Sequence, residues 1–448
     1  MSRGKSNDEY WMVAILCAAF GVLSIEIFVT GYLAPFIGRD LGLSNARIGV
    51  LISGFWVTYS IGSYLAGWLT DAGGRRKSAL VLLLLLASAC SVLSGFARSF
   101  PELLAARLLM GLLVGPFLPI AQTLLALQAP SSRLGLYTGL LQSLGNNILA
   151  VFVAPSVVVY LAVHYGWRAG FFVVILPGML CAALVAWLIR EPGEAGAPRP
   201  SSTGPESSGG RDPIQGSHLQ PARRMGRLLG NTNFWICAAG AALLVSYITV
   251  MMGFLPLLLV VGRGFTPERM SELMSVFGVA GAILGVGLPA VSDHLGRRPV
   301  MVIACALGMV GSAAALFYSG PLAVCAALLF VGWAAAGVCP LFVALVPSES
   351  VPKDLISTAI GVNLAVATLV GGMAGPALAG WAADVWGPRA PVYICLACAG
   401  SAALLGLFVR ETAPRRTGHQ NTSPGRAEVV SVDEFTRPRS PGLGRYRR

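Results

Sequence analysis

Charge is the scarcest thing in this sequence. Only 12% of its 448 residues are Asp, Glu, Lys or Arg, against 55% hydrophobic, whereas soluble domains carry about 25% charged residues. A surface wetted on all sides is excluded. Polar breaks are missing too: apolar runs of about 20 residues or more recur, the length that crosses ~30 Å of hydrocarbon. Patterns of energy-coupling and hydrolytic enzymes are absent. There is no GxxxxGK[ST] loop to cradle a nucleotide phosphate, no HExxH and no paired Asp inside an apolar run, so neither ATP hydrolysis nor membrane proteolysis is expected. None of the four His (His164, His218, His294, His419) lies in the core of an apolar run, which leaves no place for a histidine proton relay. The nine Cys all fall inside such runs and read as small buried residues, not as a disulfide framework. Cys395 and Cys398 form a CxxC on an apolar helix without a neighbouring His or second pair. The chain is expected to be no enzyme and to hold no metal and no cofactor. The net charge of +12 does not point to nucleic acid, because the Lys and Arg lie in short loops and tails without interleaved aromatics.

What is present is a series of twelve apolar spans, at roughly 11–37, 47–70, 77–97, 101–129, 133–162 and 168–190, then 232–262, 269–292, 299–319, 321–347, 355–384 and 389–410. The first is too long for a signal-peptide core of about 7–15 residues and is expected to remain in the protein. The organisation expected is a short N-terminus at 1–10, a six-helix bundle at 11–190, a Pro-, Gly- and Ser-rich linker at 191–231, a second six-helix bundle at 232–410, and a polar, Arg-rich disordered tail at 411–448. Lys and Arg favour the side of the N-terminus, also with linker and tail set aside. Both termini are therefore expected in the cytoplasm.

The two bundles are copies. GWLTDAGGRRK at 67–77 has an echo, PAVSDHLGRRP, at 289–299: Asp71, Gly74, Arg75 and Arg76 answer to Asp293, Gly296, Arg297 and Arg298, each 222 positions on. Gly111 and Gly332, Pro119 and Pro340, and Pro155 and Pro376 pair at 221. Parallel six-span repeats are an architecture of secondary transporters, with the site at the midplane between halves.

With the loop Gly67, Asp71, Gly74, Arg75, Arg76 and Lys77 filling GxxxDxxGRRK, the chain resembles the major facilitator superfamily over essentially its whole folded length. The resemblance implies an all-α membrane protein of twelve transmembrane helices in two pseudo-symmetric bundles. It also implies a cytoplasmic gate made by this loop and by Asp293, Gly296, Arg297 and Arg298. Asp71 would accept from the N-terminus of a facing helix, and the second copy, without the leading Gly and ending in Pro299, would latch more weakly.

Two charges stand inside spans. Glu26 and Arg107 each cost roughly 2.5–3.5 kcal/mol at a helix centre on insertion scales, so each needs a partner or a cavity. At ~1.5 Å per residue they fall at a similar level. The superfamily recurrently has an acid nine before a Pro in span one and an Arg four before a Gly in span four, which Glu26–Pro35 and Arg107–Gly111 match. Glu26 reads as a proton-carrying group beside a fixed cation that an arriving carboxylate would take over; a structural ion pair is the other reading. Gln122, Gln142, Asn146, Asn147, Tyr247 and Asn363 are further candidates for a polar solute, or for helix–helix hydrogen bonds. Trp56, Trp333 and Phe117 offer ring stacking, or packing.

The stretches RDLGLSNARIGVLISGF, LLAARLLMGLLVGPFLP and YGWRAGFF are similar to bacterial proton symporters of aromatic and sugar acids. Those carriers typically have Asp where Glu26 stands and an acid where Gln128 stands. The function implied is proton-coupled uptake of a small organic acid by a monomer in a bacterial inner membrane, its partners being substrate, protons and lipid. Efflux of a drug or metabolite by proton exchange is the alternative, and a transporter-like sensor the third reading.

Overall fold

The computed structural model describes residues 2–71, 76–130, 133–189, 191, 228, 230–352 and 355–413, and among these the side chains of 2–8, 67–71, 135 and 357 are outside the description. Most of the expected linker and tail therefore lies outside the described residues.

Among the described residues twelve helices are long and apolar enough to cross a membrane: α1 Glu9–Asp40, α2 Asn45–Ala66, α3 Arg76–Phe96, α4 Phe100–Gln128, α5 Leu136–Tyr165, α6 Trp167–Leu188, α7 Thr232–Gly262, α8 Pro267–Leu295, α9 Arg297–Phe317, α10 Leu322–Ser350, α11 Thr358–Trp386 and α12 Ala390–Phe408. No strand occurs among the described residues. Helices dominate because a bilayer offers no hydrogen-bond partner, so each segment must satisfy its own backbone. The first helix starts earlier than hydropathy suggests, at Ser2: nothing in the polar N-terminal residues breaks a helix already propagating.

The repeat is visible in the turns. Gly166 and Gly387, 221 apart, both have positive φ (86° and 87°) at the turns into α6 and α12, a conformation glycine adopts without a Cβ penalty. Gly296, with φ 102° between α8 and α9, shows why the GRR loop carries a glycine.

It is visible again in wide helical turns. Leu141–Val153 in α5 and Ala367–Ala374 in α11 are π-helical, and each runs up to a proline at the start of the next α-helical segment, Pro155 and Pro376. Leu341–Leu345 in α10 does the same before Pro347. Proline has no N–H and its ring crowds the carbonyl four residues back; widening the preceding turns accommodates both.

The two six-helix halves meet along three seams, α1–α7, α2–α11 and α5–α8. Close approach lies toward one end, which carries Asp40, Asn45 and Asp384 and is termed the Asp384 face. The opposite end carries the start of α3 and the second GRR loop at 296–298, and is termed the motif face.

Candidate functional site

On the Asp384 face the seams are built from small residues. A Cβ at Gly278 of α8 would meet the Phe152 backbone N of α5 at 2.5 Å, and one at Gly31 of α1 would meet Gly253 Cα of α7 at 2.9 Å. Along α2 and α11, Gly380 lies against the backbone of Asn45 and Ala46, and Gly49 against Pro376 and Gly380. Ser53 Oγ donates to the Met373 carbonyl (2.7 Å), and Ser275 Oγ to that of Phe152 (2.8 Å). The glycine-rich stretch of α11 thus serves the contact between halves, besides packing Gly371 and Gly375 on α7. Asp384 completes the closure: its carboxylate accepts from the backbone N of Asn45 (2.8 Å) and Ala46 (2.9 Å) at the first turn of α2, where the unpaired N–H groups and helix dipole favour an anion. Sequence reading missed this residue; an acid one turn past Gly380 was the available signal.

Toward the motif face the same helices have room. A Cβ at Gly139 of α5, Gly285 and Gly287 of α8 or Gly361 of α11 would touch nothing within 4 Å, and Tyr64 of α2 is 87% exposed. The halves are clamped at the Asp384 face and apart at the motif face.

Glu26 and Arg107 are brought together. Arg107 Nη2 lies 3.0 Å from Glu26 Oε2, with both side chains 1% exposed. The guanidinium also donates to the Glu26 backbone carbonyl (3.2 Å) and to Ser94 Oγ (2.8 Å), and lies 4.9 Å from the centroid of the Phe171 ring. Ser91 Oγ lies 2.5 Å from Glu26 Oε1. Arg107 Nε has no hydrogen-bond partner among the described residues. The cluster is enclosed by α1, α3, α4 and α6 within the first half, whereas α1 turns Ile27, Phe28 and Gly31 toward the seam with α7, where they line a small cavity with Ile52, Trp56, Thr249, Met252 and Gly253. The expected exposure of Arg107 to an arriving anion is therefore not met in this conformation.

The second half has a neutral counterpart. Tyr247 stands 221 positions after Glu26 and Ser312 stands 221 after Ser91. The Tyr247 hydroxyl, buried, donates to the Gly332 carbonyl (3.2 Å) and faces Ser312. Asn363 is equally enclosed: its Nδ2 donates to the carbonyls of Phe342 (2.7 Å) and Val343 (3.1 Å) in the π-helical turns of α10. Both residues hold the second half together instead of lining the path between halves.

The amides of α5 divide. Gln142 is exposed and Asn146 half-buried. Asn147 donates to the Ser143 carbonyl (2.9 Å) and sits against Gly278 and Gly281 of α8, beside the Trp333 indole, which stacks on Phe277 at 4.3 Å. Gln122 is half-buried on α4. Trp56 and Tyr59 of α2, with ring centroids 5.3 Å apart, add an aromatic wall, and Gly372 of α11 leaves room for Trp56.

Of the expected gate residues, Gly74 and Arg75 lie outside the described residues, and Gly67 and Asp71 belong to the last turn of a helix whose side chains there are not described. Arg76 and Lys77 open α3; the backbone N of Lys77 donates to Glu191 (3.2 Å). In the second copy, Glu411 takes the same place and accepts from the backbone N of Arg297 (2.7 Å) and Arg298 (3.2 Å). Arg297 pairs with Asp293 (2.6 Å) and Glu349 (2.9 Å) and donates to Ser292 Oγ (2.6 Å). The second copy is a filled cluster tying α8, α9 and α10, and the first copy, expected to latch more strongly, lies largely outside the described residues. Partial burial pushes the Glu411 carboxyl up, but the backbone N–H groups of Ala413, Arg297, Arg298 and Thr412 outweigh it and hold the group below its ordinary range.

The model of the family described as Major Facilitator Superfamily matches residues 14–371 and 273–445. This chain belongs to the major facilitator superfamily. It is a multi-pass membrane transporter, not an enzyme. It is similar to a gallate transporter of Pseudomonas putida, 31% identical over 360 residues covering 73% of this chain and 75% of the relative. A hexuronate transporter of Bacillus subtilis is 24% identical over 444 residues, covering 94% and 99%. A crystal structure of a D-xylose–proton symporter superposes with a TM-score of 0.70 at 16% identity, covering 90% of this chain and 98% of that one, and shows the same fold. In this member of the superfamily the two repeats lie on either side of the three seams.

Proposed function

We propose that this protein is a proton-coupled carrier that takes up a small organic acid, an aromatic acid in the first instance, across a bacterial inner membrane. Both termini and the motif face are cytoplasmic in this reading, and the conformation described is open to the inside. The observation that carries the proposal is the enclosed Glu26–Arg107 pair, a carboxylate able to bind one proton beside a cation that stays charged, placed in one half only. The relative's gallate is a ring bearing a carboxylate. Trp56 lines the small cavity at the seam with Tyr59 packed against it, and Gln122, Gln142, Asn146 and Asn147 supply amide donors for its oxygens, so the substrate is held by aromatic and neutral polar groups. Glu26 acts on the conformation, not on the substrate directly. Its ionised form pairs fully with Arg107, its neutral form weakens that pair, and the packing of α1 and α4 changes with it. One chain carries both walls of the path, which makes the monomer sufficient. One proton moving with one monoanion is electroneutral and is driven by the pH gradient alone; each further proton would add about 2.3 kcal/mol per 100 mV.

The test is transport into proteoliposomes with an imposed pH gradient and, separately, an imposed potential, using gallate, hydroxybenzoates, a hexuronate and a cationic drug. Acid-driven accumulation of an aromatic acid is the expected result. Proton release upon loading a cation, with no accumulation of any acid, overturns uptake in favour of efflux by exchange.

A further inference from the structure

Ser91 of α3 is fully buried, and its Oγ lies between two oxygens: Glu26 Oε1 at 2.5 Å and the Phe171 carbonyl at 2.8 Å. A serine hydroxyl carries a single hydrogen, so it satisfies only one of them at a time. Phe171 is next to last in the helix Trp167–Phe172, and the helix resumes at Ile175. Carbonyls at such a helix end have no intrahelical partner, and Ser91 is the donor this one meets.

The two protonation states of Glu26 therefore place that hydrogen differently. With Glu26 ionised, the Ser91 hydrogen turns to Oε1, where a charged acceptor holds it more strongly than a carbonyl does, and Phe171 loses its donor. With a proton bound at Oε1, the carboxyl becomes the donor to Ser91 Oγ, and the Ser91 hydrogen turns to Phe171. Oε2 accepts from Arg107 Nη2 in both states. One proton is gained, one hydroxyl rotates, and the bond from Arg107 weakens without changing its partner.

We propose that Ser91 is a positioning residue that reads the protonation of Glu26 and passes it to the break in α6. This rests on the reading above that Glu26 binds the transported proton. The titratable and charged groups around Glu26 are Arg107 from α4 and the Cys90 thiol from α3, whose hydrogen goes to the Ala106 carbonyl (3.2 Å); α6 presents the carbonyl and ring of Phe171. The repeat supports the assignment. Ser312 occupies the position of Ser91 in the second half and faces the hydroxyl of Tyr247, a group that stays a neutral O–H donor, as Glu26 is only when protonated. The switch exists in one half and its fixed version in the other.

The test uses the full-length protein in liposomes, following the protonated-carboxyl C=O stretch by infrared difference spectroscopy through a pH titration, with the pH profile of acid-driven uptake in parallel. Glu26→Gln removes the band. Ser91→Ala moves the band to higher frequency, because the carboxyl has lost its acceptor. It also displaces the pH profile of acid-driven uptake, because the charged and the neutral carboxyl lose bonds of different strength. Ser91→Thr restores both. Should Ser91→Ala not fold, Ser91→Cys, nearly isosteric with a weaker donor and acceptor, gives the same readout. An unmoved band and pH profile in the folded variant overturn the role of Ser91 while leaving Glu26 in place. A band that survives Glu26→Gln overturns the reading of Glu26 itself.

Discussion

Glu26 and Tyr247 are the same position of the two repeats, 221 residues apart, and each turns its polar end into the interior of its own half. One is ionisable and paired with Arg107; the other is a hydroxyl bonded to the Gly332 carbonyl. In the function proposed above, proton binding therefore belongs to the first half. Glu26→Gln keeps the shape and can still accept from Arg107. We expect substrate exchange at equal pH to persist and the accumulation ratio under a pH gradient to fall to one. Accumulation by this variant at the unsubstituted level would remove Glu26 from coupling.

Arg107 has the steeper structural role. Removing one partner of a buried pair costs about 3–5 kcal/mol, because the other charge is left uncompensated. Arg107→Ala is expected to lower the unfolding temperature in detergent markedly, and Glu26→Gln in the same chain to recover part of the loss. Arg107→Lys should fall between, since an ammonium cannot reach Glu26 Oε2, the Glu26 carbonyl and Ser94 as a planar fork does. Thermal unfolding of the four proteins orders them.

Closure at the Asp384 face depends on Asp384 and on the seam glycines. Asp384→Ala removes two hydrogen bonds onto the first turn of α2, worth about 1–2 kcal/mol together, or roughly a 5–30-fold shift in population. Gly278→Leu forces a side chain into the Phe152 backbone and should act more strongly. Spin labels at Arg39 and Arg269, both exposed, report the separation of the halves. Longer distances are expected in both variants, and unchanged distributions would show that closure does not depend on these contacts.

Glu411 makes stability depend on pH at the motif face. Its carboxyl is held below the ordinary value in the folded protein, so its contribution is fully present above the unfolded value of about 4.3 and is lost as pH falls through the lower folded value. Glu411→Gln should lower the unfolding temperature at neutral pH by a constant amount, and the gap to the unsubstituted protein should close in strong acid. A gap that widened on acidification would contradict the assignment.

Much of this was legible in the residues. Twelve spans follow from apolar length, because a bilayer penalises every polar group that a shorter run would leave in it. The GRR loop, with its echo 222 positions on, identified the family and the repeat, and the insertion cost of two lone charges singled out Glu26 and Arg107. The latch by Asp384, the capping by Glu191 and Glu411, and the enclosed positions of Tyr247 and Asn363 were not legible. Each depends on which helix faces which, and a helix inside a membrane shows little amphipathic pattern to reveal its inward side.

Family and membrane plan were thus determined by the sequence alone, since both reduce to local counts: run lengths, charge positions and motif spacing. The tertiary structure alone decided that the charged pair points away from the seam and that the glycines of α11 press on α2. It also decided that one serine stands between a carboxylate and a carbonyl at a helix end. These are matters of rotation about helix axes, and rotation is settled by packing between segments far apart in the chain, not by the order of residues within any one of them.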